Sequence, residues 1–125
     1  MIAGIGIDIV EIVRMEESLS RLGDKFAKRI LSDVEFDEFQ QHNFPARYLA
    51  KRFAAKEAAV KALGTGFSHG ISMQHITVTN DDLGKPVLSF SQVALDVLNQ
   101  KNISSTFLSI SDEKHYAIAN VVLEA

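Results

Sequence analysis

The sequence predicts an α+β fold: an antiparallel sheet packed by one long central helix and several shorter ones. Two observations carry that class. Strand patterns and helix patterns are segregated along the chain rather than strictly alternating, which disfavours a doubly wound sheet. The last two strand patterns are separated only by "DEK", which makes them a terminal hairpin and the pairing antiparallel. The chain has 125 residues and no linker, low-complexity tract or internal repeat, so it reads as a single domain over residues 1–125.

Each element follows from local pattern. Residues 2–10, rich in isoleucine, read as a strand, and residues 11–22 and 24–31 follow helical spacing. "SDVE" at 32–35 has the spacing of a capping box and opens a short helix through about residue 41. Pro45 suits the first turn of a helix that runs to about Leu63, and Gly64 suits its C-terminal cap. After a loop to about Gln74, "HITVT" and "KPVLSF" read as strands joined by the turn signal "NDDLG". Ser91 is placed to cap a helix through about Lys101, and "STFLSIS" and "HYAIANVVL" complete the hairpin.

Composition narrows the function classes. A net charge of −3 argues against general nucleic-acid binding. With no cysteine, disulfides, zinc–thiolate sites and thiol nucleophiles are excluded, and nothing points to secretion. The apolar start "MIAGIGIDIVEIV" lacks a basic lead and holds Asp8 and Glu11, so it is not read as a signal peptide. No apolar run reaches the ~20 residues of a membrane span. A soluble cytoplasmic protein is the default expectation. The hydrophobic share of 46% supports a core, and the small size favours oligomerisation.

Two carboxylates stand out. On a helical wheel at about 100° per residue, Leu49, Phe53, Val60 and Leu63 share one stripe, and Glu57 lies at its edge. Lys61 falls about 40° further round, with Ala50, Ala54, Ala58 and Arg47 beyond it. Small residues there let a backbone or a bulky ligand approach. Taken alone, Glu57 and Lys61 are an ordinary i,i+4 pair. Lys56 points by angle into the apolar stripe and is expected to snorkel toward solvent. In "GIGIDIVEI", alternation puts Ile5, Ile7 and Ile9 on one face and Gly4, Gly6, Asp8 and Val10 on the other. Glycine weakens a strand unless something must approach its backbone, and an acid in an apolar strand needs a partner. Asp8 either bonds to the next turn or serves as a metal ligand. With Glu57 it would supply two hard oxygen donors of the kind magnesium takes, with water and phosphate completing its shell.

The stretches "GIGIDIVEI", "RFAAKEAAVKALGTG", "NDDLGKPVL" and "FLSISDEKHYAIANVVLE" together resemble the holo-acyl-carrier-protein synthases, the small 4′-phosphopantetheinyl transferases, over nearly the whole chain. The resemblance implies magnesium-dependent transfer of the phosphopantetheine arm of coenzyme A to a serine of apo acyl-carrier protein, for fatty acid biosynthesis. Adenosine 3′,5′-bisphosphate is released. By the same resemblance Asp8 and Glu57 are the metal ligands and Glu57 and Lys61 the catalytic pair. Lys61, Gly64, Thr65, Gly66, Gly84, Lys85, Pro86 and Arg52 belong to the coenzyme site, and a homotrimer carries its active sites between subunits. Many members have Ser-His where this chain has Ser111-Asp112, and that histidine contacts the coenzyme's phosphates. His115 is the nearest imidazole here and is the candidate to take over the contact.

Such a transfer depends on positioning and on neutralising charge over the phosphoryl oxygens. The nucleophile belongs to the partner, in keeping with the absence of a GxSxG elbow or any cysteine. The base is open between Glu57, working through a metal-bound water, and a water alone. Arg14, Arg21, Lys25 and Lys28 follow i, i+7, i+11, i+14 spacing, which one continuous helix would align opposite Met15, Leu19, Leu22 and Phe26. That stripe could steer an acidic carrier protein or be a solvated face broken at Gly23. Other motifs fail: "GTGFSHG" follows a helix instead of opening one, and His69 and His75 lack zinc spacing. Two competing readings remain from the residues alone, a magnesium-dependent phosphohydrolase and a non-catalytic module that binds coenzyme A or an acidic partner.

Overall fold

The computed structural model describes all 125 residues. The elements are β1 (Ile2–Glu11), α1 (Ile12–Leu22), α2 (Asp24–Ile30), α3 (Asp33–Gln41), α4 (Pro45–Leu63), a 3-10 turn at Met73–His75, β2 (Ile76–Asn80), β3 (Pro86–Phe90), α5 (Gln92–Gln100), β4 (Ser105–Asp112) and β5 (Tyr116–Glu124). The α+β class holds, but the strands form two antiparallel sheets rather than one. β1, β5 and β4 lie in that order, and β2 and β3 pair only with each other. No helix is long and apolar enough to cross a membrane.

α4 is the central element. Pro45 sits in its first turn, where a missing N–H costs nothing, and Gly64 closes it in the left-handed conformation at φ 78°. Its alanines explain its position. A Cβ added to Gly4 would come within 2.0 Å of the Ala62 carbonyl oxygen, and one on Gly6 within 1.9 Å of the Ala58 oxygen. Both obstacles are backbone, so β1 can lie this close to α4 only without those side chains. The approaching group expected from the small residues is therefore the chain's own strand. On the opposite face of β1, Ile5, Ile7 and Ile9 are 67%, 57% and 60% exposed.

Three local expectations change. Ser91 sits at the N-cap of α5, but its side chain makes no cap bond; its N–H and hydroxyl both donate to the His75 carbonyl. Gly23, at φ 66°, breaks the first helical segment, so Arg14 and Arg21 ride on α1 while Lys25 and Lys28 ride on α2. Their alignment along a single helix does not occur, although all four remain exposed.

Lys56 does not snorkel. It is fully buried, and each of its three ammonium protons has an acceptor: Glu35 Oε1 at 2.6 Å, the Ile30 carbonyl at 2.7 Å and the Met73 carbonyl at 3.0 Å. The angle was right; the outlet is a buried carboxylate instead of water. Glu35 closes the "SDVE" capping box by accepting the Ser32 N–H, and also accepts the Val78 N–H at 2.7 Å, so one side chain ties α3, α4 and β2 together. Burial pulls the Lys56 ammonium below its ordinary range and Glu35 opposes the shift. Removing one partner of such a pair costs about 3–5 kcal/mol. Lys56→Met should therefore lower the denaturant midpoint sharply, whereas Lys25→Met on the surface should leave it nearly unchanged.

Candidate functional site

The two halves of α4 meet different surroundings, and the C-terminal half packs along β1. Toward β1, Lys61 Nζ donates to Asp8 Oδ1 and to the Ile7 carbonyl, both at 3.0 Å. Asp8 is largely enclosed while Lys61 is half exposed, with its side chain at 52%. An ammonium has three donors, so one is left facing outward. Glu57 is half-buried beside this pair. Burial first, and then the Asp8 charge, push its carboxyl above the ordinary range, and Lys61 pulls the other way. Asp8 is thus felt at Glu57: strand alternation and the helical wheel deliver two carboxylates to one place. The pair fits a hard divalent ion, because a dication would relieve both the repulsion and the cost of charging a half-buried acid. No group of three or more acidic or imidazole side chains forms, so Asp8 and Glu57 would be the only side chains to hold such an ion.

The N-terminal half of α4 meets a second feature, a cavity of about 250 Å³ walled by Tyr48, Lys51, Arg52, Asn80, Gly84 and Pro86 among others. Arg52 is buried, stacks on the Tyr48 ring at 4.4 Å and donates to Asn80 Oδ1 at 3.1 Å. Its Nε has no partner. The "NDDLG" turn builds the opposite wall. Asp81 Oδ1 accepts the N–H groups of Leu83 and Lys85, Gly84 takes φ 87°, and Asn80 Nδ2 donates to the Gly84 carbonyl. Lys51 and the Arg52 guanidinium bring two cations to a wall that also holds Glu38, and with the Tyr48 ring and the tight turn they suit a flat ligand that carries an anionic group.

Three of the residues expected from the sequence to hold a coenzyme, Arg52, Gly84 and Pro86, line this one cavity. Lys85 is exposed on the same turn. Gly64, Thr65 and Gly66 follow the end of α4 beyond Lys61, where the Thr65 and Gly66 N–H groups both return to the Val60 carbonyl. His115 lies elsewhere, in a cavity with Glu11, Glu16, Lys114 and Tyr116. Neither Asp8, Glu57 nor Lys61 lines the Arg52 cavity, so the residues fall into two groups on different flanks of one helix. Tyr48, Lys51 and Asn80 were not singled out from sequence. Tyr48, Lys51 and Arg52 do share a helical neighbourhood by i,i+3 and i,i+4 spacing, which is the signal that was available.

The sequence model of the 4′-phosphopantetheinyl transferase superfamily matches residues 4–121. The holo-[acyl-carrier-protein] synthase of Aliivibrio salmonicida is 55% identical over 99% of this chain and 98% of its own length. A crystal structure of the holo-[acyl-carrier-protein] synthase of Neisseria meningitidis superposes with a TM-score of 0.95 at 44% identity, covering 100% of both chains. That of the Bacillus anthracis enzyme, in complex with coenzyme A (3′,5′-ADP), superposes at 0.84 with 42% identity, covering 100% of this chain and 98% of that one. With its fold and its nearly full-length sequence match in agreement, this chain belongs to the 4′-phosphopantetheinyl transferase superfamily.

Proposed function

We propose that this protein transfers the 4′-phosphopantetheine group of coenzyme A to a serine hydroxyl of apo acyl-carrier protein, giving holo carrier and adenosine 3′,5′-bisphosphate. The observation that carries it is the convergence of Asp8, Glu57 and Lys61 in a chain of this family. The carrier's serine hydroxyl gives its proton to a water and its oxygen forms a bond to the phosphorus bearing pantetheine, while the bond from that phosphorus to the bridging oxygen breaks and its electron pair leaves on adenosine 3′,5′-bisphosphate. Magnesium, held by Asp8 and Glu57, would supply charge neutralisation at the diphosphate.

The protein's own residues do the rest. The remaining donor of Lys61 would meet the phosphoryl and leaving oxygens, while Asp8 and the Ile7 carbonyl hold the ammonium in position. Arg52, Asn80, Gly84 and Pro86, with Lys85 at the rim, take the adenosine end, and the Gly64–Gly66 segment borders the diphosphate. Lys51, in the wall of the same cavity, is the cation we assign to the 3′-phosphate in preference to His115. We assign the exposed Arg14 and Arg21 on α1 and Lys25 and Lys28 on α2 to the electrostatic steering of an acidic carrier protein.

The two groups lie on different flanks of α4, which supports a site completed between neighbouring copies. Ile5, Ile7, Ile9 and the 47%-exposed Phe107 leave an apolar sheet face uncovered, and a second copy is its natural cover. We assign a homotrimer. Light scattering should give about three times the chain mass of 13.8 kDa, and Ile7→Asp should give monomers that lack transfer activity. A monomeric parent would overturn the assembly.

The function itself is tested by incubating protein, magnesium, coenzyme A and apo carrier and weighing the carrier. A phosphopantetheine mass gain is expected. Cleaved coenzyme A with an unmodified carrier would indicate hydrolysis instead.

Glu57 has a distinct thermal signature. Since its carboxyl is raised, folding favours the protonated form. That stabilisation is complete below the ordinary glutamate range and is lost as pH rises through the raised value. At neutral pH without metal, Glu57→Gln should therefore melt above the parent, while its transfer rate falls about a hundredfold or more. Magnesium should raise the parent's Tm and leave the variant's unmoved. Parental activity in Glu57→Gln would remove Glu57 from the site.

A further inference from the structure

Asp112 is a charge beside the Arg52 cavity that the mechanism above leaves unused. Its carboxylate bridges two cations spaced one helical turn apart on α4: Oδ2 accepts from Arg47 Nη1 at 2.8 Å, and Oδ1 faces Lys51 Nζ at 3.7 Å. The two cations are not equivalent. Arg47 also donates to the Glu113 carbonyl at 2.7 Å and to the Lys114 carbonyl at 3.3 Å, so it pins the β4–β5 turn to α4. Lys51 has only the long contact and makes no hydrogen bond to the protein, yet it lines the cavity with Arg52.

A partly exposed ion pair at 3.7 Å is weak, with side chains 30% and 28% accessible. An ammonium so held, in the wall of the cavity that Arg52 also lines, is ready to exchange one anion for another. The geometry points to Asp112 as a specificity-determining residue. It is a built-in counter-anion that keeps Lys51 in the cavity wall, and that a phosphate monoester on the ligand must displace to gain the ammonium. On the coenzyme A reading, on which this inference rests, that monoester is the 3′-phosphate. A dianion competes with one carboxylate for Lys51; a plain 3′-hydroxyl does not. Asp112 therefore weakens the grip on coenzyme A and eases release of adenosine 3′,5′-bisphosphate.

The test compares coenzyme A with 3′-dephospho-coenzyme A as donors, as the ratio of their kcat/KM values, in the assembled full-length protein. Asp112→Asn leaves an oxygen for Arg47, which also keeps its two carbonyl acceptors, so the turn is retained. This variant should raise the ratio by about threefold or more, the scale of one exposed ion pair. Lys51→Gln should lower the ratio, and adding Asp112→Asn to Lys51→Gln should produce no further rise. The inference is overturned if Asp112→Asn leaves the ratio unchanged or lowers it, or if it still raises the ratio without Lys51. Calorimetry with adenosine 3′,5′-bisphosphate and adenosine 5′-phosphate separates this inference from the function. Tighter binding of the bisphosphate alone in Asp112→Asn upholds the role of Asp112 even if the parent fails to modify a carrier. A parent that modifies carrier but shows no change on losing the Asp112 charge overturns Asp112 and leaves the transferase reading intact.

Discussion

The absence of two side chains sets the geometry on which the rest depends. Gly4 and Gly6 let the backbone of β1 rest on the carbonyls of Ala58 and Ala62, closer than any Cβ would allow. The next residue on that face of the strand is Asp8, and the exposed residue in the facing turn of α4 is Lys61. Were β1 held off by even a methyl layer, Asp8 would not reach the Lys61 ammonium or influence Glu57. Packing and chemistry are therefore one feature, since the seam that excludes side chains at two positions is the seam that brings together charge at a third.

α4 then distributes labour by helical angle. One flank meets β1 and carries the carboxylates and Lys61. Another meets the β2–β3 turn and the β4–β5 turn, and carries Tyr48, Lys51 and Arg52. The alanines between them are buried and keep the helix close to its neighbours on every side. Beside its bulky stripe of Leu49, Val60 and Leu63, the flanks of α4 are alanine, and so the helix can serve two clefts at once.

Much of this was legible in the sequence. Alternation in "GIGIDIVEI" separates the isoleucine face from the Asp8 face, and the wheel puts Glu57 and Lys61 on one edge, because both arguments need only local periodicity. The capping box, the Pro45 start and the Gly64 stop are equally local. What escaped is what depends on long-range approach. Lys51 and Asn80 become neighbours of a cavity only when the 81–85 turn folds over α4. The angle of Lys56 was legible but its destination was not, because Glu35 had already been accounted for by the cap it makes at Ser32. The break at Gly23, by contrast, was legible: the helical spans 11–22 and 24–31 stop and restart there, and α1 and α2 lie on either side of it. The division into two sheets follows from β2 and β3 finding no partner but each other, which strand patterns alone do not specify.

The Lys56–Glu35 pair has a further consequence, for descent rather than for catalysis. Glu35 answers to Ser32, Val78 and Lys56 at once, and Lys56 to three acceptors. A lineage that alters either residue first must survive an intermediate with a lone charge in the interior, and one that alters both must still find donors for the Ile30 and Met73 carbonyls and acceptors for the Ser32 and Val78 N–H groups. The pair works as a ratchet: easily retained, and escapable only by several coordinated changes that bring no benefit singly.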